Sequence, residues 1–133
     1  MSQFPERLLA LQPFWNTWYL DTLLGEGSYG KVYRIRREEF GERYYAAMKW
    51  IPLPASQSEI VSMRREGMND AVIREYYNSR VRDMQSEIKL MNSLRGTSHV
   101  VSFEDHAFIR RENEIGWDIL IRMELLTSLP EQM

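Results

Sequence analysis

Three glycines at fixed spacing, Gly25, Gly27 and Gly30, run through "LGEGSYGKVY" and are followed by Val32. Glycine lets backbone N–H groups approach an anion closely, so such a run can fold over a phosphate. It suits a tight turn between two strands equally well. Two charged residues bear on the choice. Lys49 stands in a segment otherwise made of Tyr, Ala, Met and Trp, where strand alternation would also permit an ordinary surface lysine. Glu87 lies three positions after Met84 and four before Met91, on the margin of an apolar stripe. An acid there must meet a cation or stay at a wet edge. Arg80, two turns earlier on nearly the same face, is one local partner.

The rest of the composition narrows the chemistry. The chain has 133 residues, 44% hydrophobic and 27% charged, which suits one compact soluble domain. Its net charge of −2 leaves no electrostatic footprint for nucleic acid. With no cysteine, disulfides, thiolate catalysis and cysteine-bound zinc are excluded. The two histidines, His99 and His106, share one segment without metal-ligand spacing. No apolar run is long enough to span a bilayer and no secretory h-region opens the chain, so a cytoplasmic location is expected.

The elements that must position these residues follow from periodicity. Residues 4–13 read as a short helix bounded by Pro5 and Pro13. Residues 18–25, 31–37 and 43–51 read as strands, the second alternating Tyr33 and Ile35 against Val32, Arg34 and Arg36, the third ended by Pro52 and Pro54. Residues 56–67 read as a helix with serine at its start and Gly67 at its stop. Asn69 then caps a long amphipathic helix carrying Ile73, Tyr77, Val81, Met84, Ile88, Met91 and Leu94, about 39 Å in length. Residues 99–111 and 116–126 complete the set as strands, the last alternating with Trp117, Ile119, Ile121 and Met123 on one face. The expected fold is α+β: a five-stranded antiparallel sheet with the long helix packed on one face and an extra inserted helix at about 55–70.

A dinucleotide-binding unit would need a helix after Gly30. The period of two over 31–37 disfavours that, leaving strand, glycine loop, strand. In order, the chain then holds Gly25-x-Gly27-x-x-Gly30-x-Val32, "AAMK" with Ala47 and Lys49, a long helix with Glu87 in "SEIKLM", and a strand ending "IRMELL". This ordered set resembles the N-terminal lobe of a protein kinase, closest to bacterial serine/threonine kinases of the eukaryotic type, over roughly residues 18–129.

The resemblance implies ATP as cofactor. Gly25, Gly27, Ser28, Tyr29 and Gly30 would cover the phosphates, Lys49 would pair the α- and β-phosphates, and Glu87 would be its partner. Val32 and Ala47 would roof the adenine. Met123 would be the gatekeeper, with backbone groups of Glu124 and Leu126 meeting the adenine edge. Met91 and Phe103 would join an internal apolar spine. His99 is given no chemistry. The resemblance also implies residues 1–17 as an N-terminal extension, 18–126 as the lobe and 127–133 as the start of the passage to an absent C-lobe.

That C-lobe would hold the catalytic Asp and the Mg²⁺ ligands. Arg82-Asp83 lacks the preceding histidine, the position five after Asp83 is Ile88, and no Asp-Phe-Gly occurs. The parent would transfer the γ-phosphoryl of ATP to a serine or threonine of a protein substrate, and this chain alone would not. The alternative is a kinase-like binding module of pseudokinase type, without phosphoryl transfer. The inserted helix would be either a docking surface biasing the Lys49–Glu87 pair or a shield for the sheet. A face left bare by the missing lobe, including Val32, Ala47, Phe103, Met123 and Leu125, together with the aromatic segment Phe4, Phe14, Trp15 and Trp18, would favour a homodimer.

Overall fold

The structure is a computed structural model and describes residues 4–27, 30–93 and 103–125. It is α+β, with a five-stranded antiparallel sheet in the order β1-β2-β3-β5-β4. The strands are β1 (Tyr19–Gly27), β2 (Gly30–Glu39), β3 (Glu42–Leu53), β4 (Phe103–Arg110) and β5 (Trp117–Met123). The helices are α1 (Glu6–Leu9), α2 (Gln57–Arg65) and α3 (Asp70–Ser93). Residues 30–39 form a strand antiparallel to β1, which removes the dinucleotide-binding alternative.

Helix boundaries follow from side chains that satisfy exposed backbone groups. The Ser56 hydroxyl accepts from the Ser58 N–H at 3.3 Å at the start of α2, and Asn69 Oδ1 accepts from the Val72 N–H at 3.0 Å at the start of α3. Gly67, with φ +97°, takes the left-handed conformation between the two helices. The 24 residues of α3 make it about 36 Å long. Ile73, Tyr77, Val81 and Ile88 of its stripe pack with Ile119 and Ile121 of β5.

Three expectations need correction. β3 does not end at Pro52, because Pro52 is registered against Asp118 of β5. β2 has already closed at Gly30, with Lys31 opposite Trp50. Beyond Trp50 one flank of β3 therefore carries no described strand, and such an edge accommodates proline. Second, β5 is not buried on one face alone, since Asp118 and Leu120 are buried as fully as Ile119 and Ile121. Third, two of the N-terminal aromatics expected to offer surface for association are buried. Phe14 and Trp18 are 2% and 7% exposed. They pack with Leu8 on Tyr33, Ile35, Met48 and Leu120, covering the sheet face opposite α3. A buried aromatic removes about 150–250 Å² from water, roughly 4–6 kcal/mol before ordering costs.

Cover on both faces brings a buried charge with it. Asp118 accepts from the Trp50 indole at 2.9 Å and from Arg111 at 3.0 and 3.2 Å. Arg111 also reaches the Pro54 carbonyl at 3.5 Å. Gly116 passes so close that an added Cβ would sit 2.4 Å from the Leu53 carbonyl oxygen.

Breaking this pair from one side strands a buried charge, whereas replacing both members need not. Asp118→Ala is expected to cost about 3–5 kcal/mol in urea unfolding. Asp118→Leu combined with Arg111→Met is expected to cost clearly less. Equal losses in the two proteins would mean that the pair does not act as a unit.

Candidate functional site

The glycine hairpin is built by β1 and β2, whose last registered pair is Gly27 and Gly30. Ser28 and Tyr29 lie outside the described residues. The glycines are not equivalent. Gly30 has φ +138°, and a Cβ there would lie 2.3 Å from the Trp50 carbonyl oxygen. The fold itself therefore demands glycine at that position. Around Gly25 nothing lies within 4 Å of an added Cβ, so its lack of a side chain serves no packing need. Register shifts between Leu20 and Thr22 and between Leu23 and Gly25 interrupt the regular ladder of β1.

Asp21 fastens the base of this hairpin. It accepts from Arg34 Nε at 2.6 Å and lies 3.5 Å from Arg36. Burial works to raise its pKa, but the hydrogen bonds from Arg34 and Thr22 and the charges of Arg34 and Arg36 outweigh it, holding the carboxyl below its ordinary 3.8.

Strand register decides where Lys49 points. It stands opposite Val32 on one side and Ile121 on the other. Ile121 belongs to the core shared with α3, so Lys49 is on the α3 side of the sheet. There it lines a cleft of about 800 Å³ between the mouth of the hairpin, β3 and α3. Gly30 and Lys31 line it from the hairpin, Met84 and Glu87 from α3. Lys49 and Glu87 are thus brought to one cleft from two separate elements. A lysine, the mouth of a glycine hairpin and an open volume of this size form a donor set that fits a polyphosphate.

Ala47 shares this sheet face with Lys49 and stands opposite Met123, yet neither it, Val32 nor Met123 lines the cleft. Ala47 and Phe103 are 8% and 4% exposed, so the expectation that both are bared to solvent is corrected. The inner-face core already covers Phe103. Val32, Met123 and Leu125 are half-buried, and Glu124 is exposed just after β5. The Met91 side chain, His99, Leu126 and residues 127–133 lie outside the described residues.

No family model matches the chain, and no curated protein matches it. The site therefore stands on its own geometry. Among the described residues no group of three or more His, Cys, Asp or Glu could hold a metal ion, and no helix is long and apolar enough to cross a membrane.

Sequence reasoning missed the contribution of α2 and the middle of α3 to the cleft. Glu59, Tyr77 and Arg80 line it together with Lys49 and Glu87. The Tyr77 hydroxyl donates to Glu59 at 2.7 Å. Burial, then Glu59, pushes the Tyr77 pKa up, so this hydroxyl stays protonated as a donor. Arg80 Nη1 donates to the Tyr76 hydroxyl at 3.1 Å. The available signal was Tyr77 itself, since a tyrosine at the centre of an apolar stripe needs a partner for its hydroxyl.

Two predictions follow from the hairpin. Gly30→Ala is expected to destabilise the fold in urea titration without any ligand. Gly25→Ala is expected to leave stability within about 0.5 kcal/mol; a large loss there would place Gly25 under a packing constraint of its own. Because the Asp21 pKa is lowered on folding, its contribution is present above 3.8 and is lost as pH falls through the folded value. Asp21→Asn is therefore expected to trail the parent protein at neutral pH and to converge on it as pH falls through the lowered folded value, read as thermal midpoint against pH.

Proposed function

We propose that this chain is the nucleotide-binding N-terminal lobe of a serine/threonine protein kinase. One observation carries the reading: Lys49 from the sheet and Glu87 from the long helix line a single cleft at the mouth of the glycine hairpin. The order of elements supports it, with the hairpin, the lysine strand, the helix and two closing strands in sequence. ATP, when bound, supplies the γ-phosphoryl group that the parent protein would pass to a protein hydroxyl.

In this reading Lys49 neutralises phosphate charge as a compact ammonium, and Glu87 orients it. Backbone N–H groups of the hairpin cover the phosphates from above. The adenine would lie beyond the cleft lining, toward Val32 and Ala47, which share the sheet face of Lys49. The sequence holds no His-Arg-Asp and no Asp-Phe-Gly, so this chain supplies neither the catalytic base nor the Mg²⁺ ligands that the reading requires. The cleft carries three bases, Lys31, Lys49 and Arg80, against three acids, Glu26, Glu59 and Glu87. That balance gives a polyanion little net attraction.

ATP is accordingly expected to bind weakly, with Kd on the order of 0.1–1 mM, about 4–5.5 kcal/mol. Chemical-shift titration should place the changes at Gly25, Gly30, Val32 and Lys49. Lys49→Met is expected to weaken binding about tenfold, the scale of one charge-assisted contact. No radiolabel from γ-labelled ATP is expected on the protein. The rival, a kinase-like lobe that binds a partner and never handles ATP, predicts no saturable shift at any of these positions.

A further inference from the structure

At the other end of α3 lies a small polar cavity of about 100 Å³, room for about three waters or one tetrahedral oxyanion. Arg74 and Asn78 line it from α3, Arg110 and Arg111 from the end of β4 and the turn that follows. Of its three guanidinium groups that of Arg111 is buried, whereas those of Arg74 and Arg110 stand at the exposed rim.

Their charges can be matched residue by residue. Arg111 is buried and paired with Asp118 at 3.0 Å. Glu114, which also lines the cavity, is held by Arg7 at 2.6 Å and by Gln57 at 2.8 Å. Among the described residues Arg74 and Arg110 have no hydrogen-bond or ion-pair partner. Setting Arg111 and Arg7 against Asp118 and Glu114 leaves two positive charges, those of Arg74 and Arg110. Asn78 has committed its carbonyl oxygen to the Trp117 indole at 3.0 Å, which turns its amide N–H₂ into the group still available to an acceptor.

We propose that Arg74, Arg110 and the Asn78 amide form an oxyanion-binding site for a phosphate group, either free or carried on a phosphorylated side chain. Guanidinium groups present paired donors that suit phosphate oxygens, and a charge-assisted bond to each is among the stronger polar contacts a protein makes. The site bridges α3 and the β4–β5 hairpin, so an occupant would tie the two together. It does not rest on the nucleotide reading. Glu87 lies thirteen positions beyond Arg74, about 20 Å along the helix.

The test is a titration of the 133-residue chain with inorganic phosphate, at constant ionic strength made up with chloride, followed by NMR. Saturable shifts are expected at Arg74, Asn78, Arg110 and Gly116. Arg74→Gln and Arg110→Gln, both at exposed side chains, are each expected to weaken binding roughly tenfold, with circular dichroism confirming an unchanged fold. Lys49→Met, in the hairpin cleft, is expected to leave this signal intact. A phosphoserine peptide binding at least tenfold tighter than phosphate would assign the group to a phosphorylated side chain. Equal affinity would assign it to free phosphate, and either result supports the site. Absence of saturation, the same shifts with chloride alone, or unchanged affinity in both variants would overturn it.

Discussion

A carboxylate shut away from water fixes one end of this sheet. Asp118 receives the Trp50 indole from β3 and two bonds from Arg111. Arg111 in turn holds the Pro54 carbonyl. One charge therefore sets the spacing of β3 and β5, the closure of the β4–β5 hairpin and the point where the chain leaves β3 for α2. A buried pair of this kind is a modest source of stability, because desolvation offsets much of its attraction. Its effect here is on geometry. Hydrophobic contact alone is non-directional and would tolerate the exit from β3 at several angles, whereas the bonds to Arg111 allow few.

Given that exit, the two faces of the sheet acquire different covers. α2 and α3 take the face bearing Lys49, with Ile60, Ile73, Tyr77 and Val81 in its core. The segment from Phe4 to Trp18 takes the other. Trp15 and Asn16 sit at φ 47° and 70° in that segment, a strained conformation for a bulky tryptophan. Its indole lies 4.9 Å from the Arg122 guanidinium, which also stacks 5.2 Å from Trp18. Those cation–π contacts, worth about 0.5–2 kcal/mol each, offset the turn and fasten the cover to β5.

Much of this was legible in the sequence. Period-two alternation found Tyr33 and Ile35, and the stripe from Ile73 to Ile88 found the buried face of α3, because each uses a local repeat that burial enforces. Gly30 was legible as a glycine but not for its packing reason, since the carbonyl that excludes a side chain belongs to Trp50, twenty positions later. Asp118 is not singled out by the β5 alternation of Trp117, Ile119, Ile121 and Met123. Its partners are Trp50 and Arg111, and no local period announces a pairing across a sheet. The N-terminal aromatics were seen but assigned to the wrong neighbour: an apolar segment states that it must be buried, not against what.

The same distinction bears on Glu87. Among the described residues, the side-chain hydrogen bonds from α3 to the sheet and to α2 lie in its first half, Tyr77 to Glu59, Asn78 to Trp117 and Arg64 to Asp70, with Ile73 and Val81 in the core beside them. Glu87 lies beyond those contacts, with Ile88 as the next buried residue. A rigid helix pinned near one end transmits a small rotation there into a larger displacement further along. Ten residues separate Tyr77 from Glu87, about 15 Å of helix, so a tilt of a few degrees at the pinned end moves the carboxylate by roughly an ångström. That is enough to make or break a direct bond to a lysine ammonium. The inserted helix α2 supplies Glu59 and Ile60 to the pin. Through these contacts α2 and the first half of α3 are held together on the sheet face that bears Lys49.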